Sequence, residues 1–442
     1  MVVEGWLARA AAKHPGRVAV ATPSGSATYA ELHADARAGA HELEARGARA
    51  GTRVAIALPA GLDMARALHA AMLIGAIAVP VDPRLSTAER EAIAARCELA
   101  LEEPLACAGA DAPAAPQRHD LDAVAAIIHT SGTTAAPRPV ELTFGNFLWS
   151  ALGSAVALGG DVEERWLCAM PLSHVGGLSI LLRSAIYATT AILHERFETE
   201  RVIASLQGDG VTLVSLVATT LARLLDAGLE RPPALRVALT GGGPVAPDLM
   251  RRARAAGVPV RLTYGLTESC SQATTAPLAE TDAPDDAAGP PLFCTAVAIA
   301  PDGEILLRGP TVARGAAGED GWLHTGDLGE LDQRGRLRVL ARKSETIVSG
   351  GENVAPAEVE AVLEEHPDVV EAAVLGREDA QWGEAVVAVI VHRPGRAPEQ
   401  AELLEHCRAR LAPYKVPKEF TRTEDPLPRT ASGKLQRRSV LR

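Results

Sequence analysis

Short apolar runs alternate with helix-like stretches along most of the chain, and this alternation limits the fold more than any other feature. Val18–Ala21 reads as a strand. Thr28-Tyr29-Ala30-Glu31 has the spacing of a capping box, and the helix it opens should stop at Gly47. Val54–Leu58 is the next strand and Gly61–Gly75 the next helix, with a second capping box at Ser86–Glu89. The Ala/Pro-rich segment Ala110–Pro116 reads as loop. The pattern resumes at Leu167–Met170, Ile180–Leu193, Val211–Val217 and Val237–Leu239. Such alternation predicts α/β layers with mostly parallel strands.

At 442 residues the chain is too long for one ordinary core, so at least two domains are expected. The texture changes past Gly335. Short strands at Leu337–Leu340, Val369–Leu375 and Ala385–Val391 alternate with helices at Ala357–Glu365 and Glu399–Leu411. That predicts a small α+β domain, with a boundary near Ala341–Ser344.

A net charge of −11 argues against nucleic acid or an anionic membrane surface as the main partner. The six cysteines are scattered without a C-x-x-C pair, so neither a disulfide framework nor a zinc site is expected. The first residues carry Glu4 and no long apolar core, unlike a signal peptide, and the apolar run Ala70–Val81 is too short to span a bilayer. A reducing cytoplasm fits these features.

Several polar clusters carry chemistry. Thr130-Ser131-Gly132-Thr133-Thr134 follows an apolar run and precedes Arg138. Backbone amides near glycine and hydroxyls can cradle an anion, although the stretch lacks the usual phosphate-loop spacing. Gly241-Gly242-Gly243 follows Val237–Leu239 and allows close approach to a flat ligand. In Thr263–Ser269, Tyr264 can stack on a ring, Thr267 can donate a hydrogen bond and Glu268 offers oxygen to Mg²⁺. Asp327, in a glycine-flanked turn, can hold two ribose hydroxyls, with Arg342 a second candidate. Ser349-Gly350-Gly351 can let a thin ligand pass, and Lys434 follows a Ser-Gly pair. His174 precedes a glycine pair, and Arg183 interrupts an apolar run, so it must find an anion or reach solvent. Each cluster alone has a bland alternative: a tight turn, a solvated charge, an Asx-turn or a structural histidine.

In this order the motifs resemble the acyl-adenylate-forming superfamily, which includes acyl- and aryl-CoA ligases, luciferases and peptide-synthetase adenylation domains. The resemblance covers essentially the whole chain. It implies the adenylate-forming enzyme fold: a large multi-subdomain N-terminal domain with parallel-type sheets over 1–341, a hinge at 342–344 and a small mobile α+β C-terminal domain over 345–442. It implies activation of a carboxylic acid with ATP and Mg²⁺ to acyl-AMP, then transfer to coenzyme A. Thr130–Thr134 and Arg138 would surround the β- and γ-phosphates. Gly241, Gly242 and Gly243 would floor the adenine and acyl sites, with Tyr264 and Gly265 beside the adenine. Thr267 would contact the α-phosphate and Glu268 the metal. Asp327 and Arg342 would hold the ribose, Ser344 would be the pivot and Lys434 the adenylation lysine. Gly350 and Gly351 would face coenzyme A.

Closer still, "PLSHVGGLSILLRSAIY", "TGGGPVAP", "YGLTESCSQ" and "RKSETIVSGGENVAPAEVE" resemble the o-succinylbenzoate–CoA ligases of menaquinone synthesis. That acid has two carboxylates. The resemblance implies that the succinyl one is activated, with Arg183 as the candidate cation for the aryl one and His174 lining the acyl pocket. A ligase for another aryl or fatty acid, or a carrier-protein-loading enzyme, remains the alternative, and a homo-oligomer is left open. Ala135 stands where the superfamily usually has glycine, Arg138 where it has lysine and Ala341 where a glycine precedes Arg342.

Overall fold

Local sequence signals build the first elements. Thr28 N donates to Glu31 Oε2 at 2.8 Å, closing the first capping box at the head of the Tyr29–Ala45 helix. Ser86 N makes the equivalent bond to Glu89 Oε2 at 2.9 Å, opening Thr87–Ala94. A third box, Thr143 with Asn146, opens the Phe144–Leu158 helix. The computed structural model describes residues 1–106, 118–130, 138–278, 284–349, 351–379, 382–429 and 435–440, without the side chains of Asn353 and Arg438. The predicted loop at 110–116 lies outside them.

Two largely parallel sheets organise the first part of the chain. An eight-stranded sheet runs in the order Thr274–Thr275, Val260–Tyr264, Val237–Thr240, Leu213–Leu216, Arg165–Cys168, Thr190–Leu193, Val18–Thr22, Gly25–Thr28. Only its two end pairs are antiparallel. A five-stranded sheet orders Leu99–Leu101, Arg53–Ile56, Ile77–Pro80, Val124–Thr130 and Arg138–Thr143, with only the last pair antiparallel. The expected Ile180–Leu193 run divides into the Val175–Tyr187 helix and the Thr190–Leu193 strand, with Ala188 left-handed between them.

The central strands are apolar on both faces because both faces are covered. Trp166 and Cys168 enter a core shared with the Tyr29–Ala45, Leu62–Leu73, Phe144–Leu158 and Val175–Tyr187 helices. Leu167, between them, faces a second core with Val202, Leu224 and Leu249 from the helices on the other side. Among the described residues no helix is long and apolar enough to cross a membrane.

Two expectations need correction. Leu337–Leu340 is part of the Leu337–Arg342 strand, and it pairs with strands before it rather than with the C-terminal set. It closes a four-stranded antiparallel sheet with Ala296–Ile299, Glu304–Arg308 and Leu323–Leu331. Asp327 lies inside the Leu323–Leu331 strand, not in a turn. A register shift between Leu328 and Gly329, with Gly326 at φ 72°, gives this strand its turn-like glycine pattern. Beyond it, Ile347–Ser349, Glu352–Val354, Val369–Asp379, Gly383–His392 and Glu419–Thr423 form a separate sheet, backed by Pro356–Glu364 and Gln400–Arg408. Its core is drawn from residues between Ile347 and Val416.

The first capping box makes a direct test of this reading. Thr28→Ala is expected to cost about 1 kcal/mol in urea unfolding, with Thr28→Ser recovering most of it.

Candidate active site

Val237–Thr240 and Val260–Tyr264 are parallel neighbours, so the segments that follow them leave the same edge of the sheet. Ligands of open parallel sheets bind at that edge. A Cβ on Gly241 would lie 2.5 Å from the Thr263 carbonyl oxygen, so the two segments pack backbone to backbone. Gly265 is tighter: a Cβ there would stand 1.6 Å from the Ser271 carbonyl oxygen. The chain reaches that position by folding back through the short helical turn Thr267–Ser269. Cys270 and Ser271 then take φ of 52° and 86°, a region that strains side-chain-bearing residues. Leu266 N donates to Ser269 Oγ at 2.9 Å and Ala273 N to the Tyr264 carbonyl at 2.8 Å, which hold the fold-back in place.

Thr267 and Glu268 are thereby presented half-buried at the turn. The Glu268 carbonyl accepts from Ala313 N at 2.7 Å, while its carboxylate makes no hydrogen bond or ion pair with a described residue. The Arg138–Thr143 strand lies beside this turn. Thr130 pairs with Arg138 at the end of its hairpin, and Thr130 Oγ1 donates to the Arg138 carbonyl at 3.3 Å. Thr130 and Arg138, which flank 131–137 in the sequence, are therefore held side by side. Ser131, Gly132, Thr133, Thr134, Ala135, Gly350 and Lys434 lie outside the described residues.

Asp327 joins two sheets. Its Oδ2 accepts the Tyr264 hydroxyl at 2.8 Å and its Oδ1 accepts Arg342 Nη1 at 2.7 Å. Burial, with the Asp327 charge beside it, pushes the Tyr264 phenol well above its ordinary value. The phenol therefore stays a neutral donor. Burial pulls the Arg342 guanidinium down, but the Asp327 carboxylate outweighs it and the net shift is upward. The residues after Arg342 are tied in opposite directions. Lys343 Nζ reaches Asp302 Oδ2 at 2.6 Å and Glu304 Oε2 at 3.2 Å. Glu345 Oε2 accepts Arg437 Nε at 3.0 Å, and Arg437 also holds Glu360. Gly351 stands at φ 86° ahead of the Glu352–Val354 strand.

Arg183 neither finds an anion nor reaches solvent among the described residues. It is 3% exposed, and its guanidinium carbon lies 5.6 Å from the Trp166 ring centroid. Nη2 donates to Ser150 Oγ at 2.9 Å, and Nε has no hydrogen-bond partner. Burial draws the guanidinium below its ordinary value, opposed by Tyr187 and Cys270. His174 caps the Val175–Tyr187 helix, with Nε2 4.0 Å from Asp82 Oδ2. The second glycine after His174 has a packing reason: a Cβ on Gly177 would lie 2.4 Å from the Pro171 carbonyl oxygen.

The structure thus gathers Tyr264, Asp327 and Arg342 into one bonded cluster. It joins Arg183 to the Thr267–Ser271 segment through Ser150, whose hydroxyl donates to the Cys270 carbonyl at 2.7 Å. Ser150, Lys343 and Glu345 were not visible as site residues in the sequence, because their partners are distant along the chain. Asn146 carried a signal, the Thr143-x-x-Asn146 box. Its Nδ2 also donates to the Pro310 and Val312 carbonyls at 2.8 and 3.0 Å, fixing the loop that meets Glu268.

A family model described as AMP-binding enzyme matches residues 7–101 and 98–316, and one described as AMP-binding enzyme C-terminal domain matches 358–434. The 2-succinylbenzoate–CoA ligase of Bacillus subtilis (strain 168) is 39% identical over 98% of this chain and 97% of its own. The o-succinylbenzoate coenzyme A synthetase of Bacillus subtilis, solved with ATP and magnesium ion, is 36% identical, with full coverage of both chains and a TM-score of 0.89. A double mutant of that synthetase, solved with its product analogue OSB-NCoA, is 37% identical over 100% of this chain and 98% of that one, with a TM-score of 0.72.

Asp327→Asn is expected to destabilise the protein by about 2 kcal/mol in chemical unfolding, through its weakened bonds to Tyr264 and Arg342. Because Arg342 is half-exposed, the ion pair itself adds little to that figure.

Proposed function

The chain belongs to the AMP-binding enzymes, and on that premise we propose that it activates 2-succinylbenzoate with ATP and transfers the acyl group to coenzyme A. The resemblance places this step in menaquinone biosynthesis, and the reading puts the enzyme in the cytoplasm with its ATP and coenzyme A. The observation that carries the choice of acid is Arg183. A buried cation with one neutral hydroxyl partner is costly unless an anion meets it. The aryl carboxylate of 2-succinylbenzoate supplies that anion while its succinyl carboxylate lies at the reacting centre.

The turn fits a hard cation. Glu268 is half-buried, and among the described residues its carboxylate has no hydrogen-bond or ion-pair partner. One carboxylate plus substrate phosphates is a usual Mg²⁺ environment. When bound there, Mg²⁺ would offset phosphate charge during displacement.

The first step joins a succinyl carboxylate oxygen to the α-phosphorus of ATP and breaks its bond to pyrophosphate. Thr267 donates to an α-phosphate oxygen, and Lys434 offsets the charge gathered between the two anions. One such preorganised donor is worth roughly 10²–10³ in rate. Tyr264 and Gly265 flank the adenine, and Gly241, Gly242 and Gly243 floor the adenine and acyl sites. Asp327, oriented by Tyr264 and Arg342, keeps lone pairs for the ribose hydroxyls. The Thr130–Thr134 loop with Arg138 receives the β- and γ-phosphates. In the second step the coenzyme A sulfur bonds to the acyl carbon and AMP leaves. His174 lines the acyl pocket, and Gly350 and Gly351 face the thiol donor. A pivot within 342–344, between residues 1–341 and 345–442, would exchange Lys434 for that face.

The test is a ligation panel read by product mass, with ATP, Mg²⁺, coenzyme A and a series of acids. No thioester from 2-succinylbenzoate sinks the reading. Arg183→Gln is expected to raise KM for 2-succinylbenzoate at least tenfold, as roughly expected for loss of a charged hydrogen-bonded pair. A ligase for a monoacid would keep its KM. Lys434→Ala is expected to abolish carboxylate-dependent pyrophosphate exchange and to spare thioester formation from presynthesised acyl-AMP; equal loss of both would refute that division of labour.

A further inference from the structure

Arg183 does not hold itself in place. Its guanidinium has one side-chain hydrogen bond among the described residues, and that bond is to Ser150 on a different helix. Ser150 is 1% exposed. A serine in a helix interior usually turns its hydroxyl back to a carbonyl of its own helix or outward to water. Here the hydroxyl instead leaves the helix. It donates to the Cys270 carbonyl at 2.7 Å and accepts from Arg183 Nη2 at 2.9 Å. A hydroxyl has one proton to give, so both of these roles are used and neither competes with the other.

The carbonyl it holds belongs to a strained segment. Cys270 and Ser271 both have left-handed φ, and such residues persist only where their surroundings over-determine them. Cys270 N donates to the Thr267 carbonyl at 3.0 Å and Ser271 N to the Leu266 carbonyl at 3.1 Å. Ser150 adds a side-chain restraint from a different helix on the same segment. The Trp166 ring beside the guanidinium is itself fixed, with Nε1 donating to Ser215 Oγ at 3.0 Å.

We propose that Ser150 is a positioning residue for acid recognition: it sets the Arg183 guanidinium and the Thr267–Ser271 turn at a fixed separation, so that a diacid of the right length is held at both ends. This rests on the reading of Arg183 given above. The distance between the two carboxylates of the substrate is then measured by a hydroxyl that touches neither. The chain has a ruler at this point, with the cation at one end and the α-phosphate donor at the other.

The test compares 2-succinylbenzoate with 4-oxo-4-phenylbutanoate, which keeps the succinyl carboxylate and lacks the aryl one. Ser150→Ala is expected to lower the kcat/KM preference for the diacid roughly tenfold, chiefly through KM. Ser150→Thr, which restores the hydroxyl, should recover the preference. Ser150→Cys keeps the volume with a weak donor and should fall between, which covers the case in which the alanine variant fails to fold. A Ser150 series that lowers kcat/KM for both acids by the same factor, or for neither, overturns the proposal. Arg183→Gln separates the two layers. If it leaves the preference unchanged, the Arg183 reading fails; if it removes the preference while the Ser150 variants keep it, only the role of Ser150 fails.

Discussion

The carboxylate of Asp327 holds the site together. Tyr264 ends a strand of the large parallel sheet, and Arg342 ends the last strand of the antiparallel sheet. Asp327 takes one donor from each, at 2.8 and 2.7 Å. A buried phenol needs an acceptor, and a buried carboxylate needs donors, so each side solves the other's desolvation problem. The backbone of Asp327 pairs with Arg342 across the sheet while its carboxylate also reaches Tyr264. Because Arg342 is also the last residue before Lys343–Glu345, the same contact sets the direction in which the chain leaves the antiparallel sheet.

Close backbone packing does similar work around the turn. The approach of Ser271 to Gly265 leaves no room for a Cβ, and the left-handed pair Cys270–Ser271 is what makes the approach possible. The Glu268 carbonyl is then held by Ala313 N, in a loop that Asn146 grips through two carbonyls. A helix start, a strand end and a connecting loop converge on one short segment. A site held by packed backbone in this way has little left to reorganise when charge develops, which is the condition for electrostatic stabilisation.

The sequence revealed what depends on near neighbours. The Thr28 and Ser86 capping boxes form because both partners lie within one helical turn, and the parallel strands announce themselves because burial on two faces demands unbroken apolar runs. Asp327 reads as a turn residue because a bulged strand with glycines on either side has the composition of a turn. Leu337–Leu340 reads in texture like the strands that follow it, because strand partners are not written in the strand itself. Arg183 could be flagged as anomalous from its apolar surroundings. Its partner could not, since Ser150 is one of several small residues on a helix and its meaning comes from Cys270, 120 positions away.

The segment after Arg342 shows how weak contacts can bias which torsions of a chain are restrained. Lys343 pairs with Asp302 and Glu304, which precede it, and Glu345 pairs with Arg437, which follows it. Lys343 and Glu345 are themselves about half-exposed, and pairs open to solvent on one side add little stability. Their placement matters more than their strength. A rotation about Ser344 would separate neither pair, because each joins residues on the same side of the pivot. Rotation about φ of Lys343 or ψ of Glu345 would pull a side chain off its partners. The two pairs therefore resist torsions outside the stretch from ψ of Lys343 to φ of Glu345, which has Ser344 at its centre, and a turn of the following residues within that stretch would break neither contact.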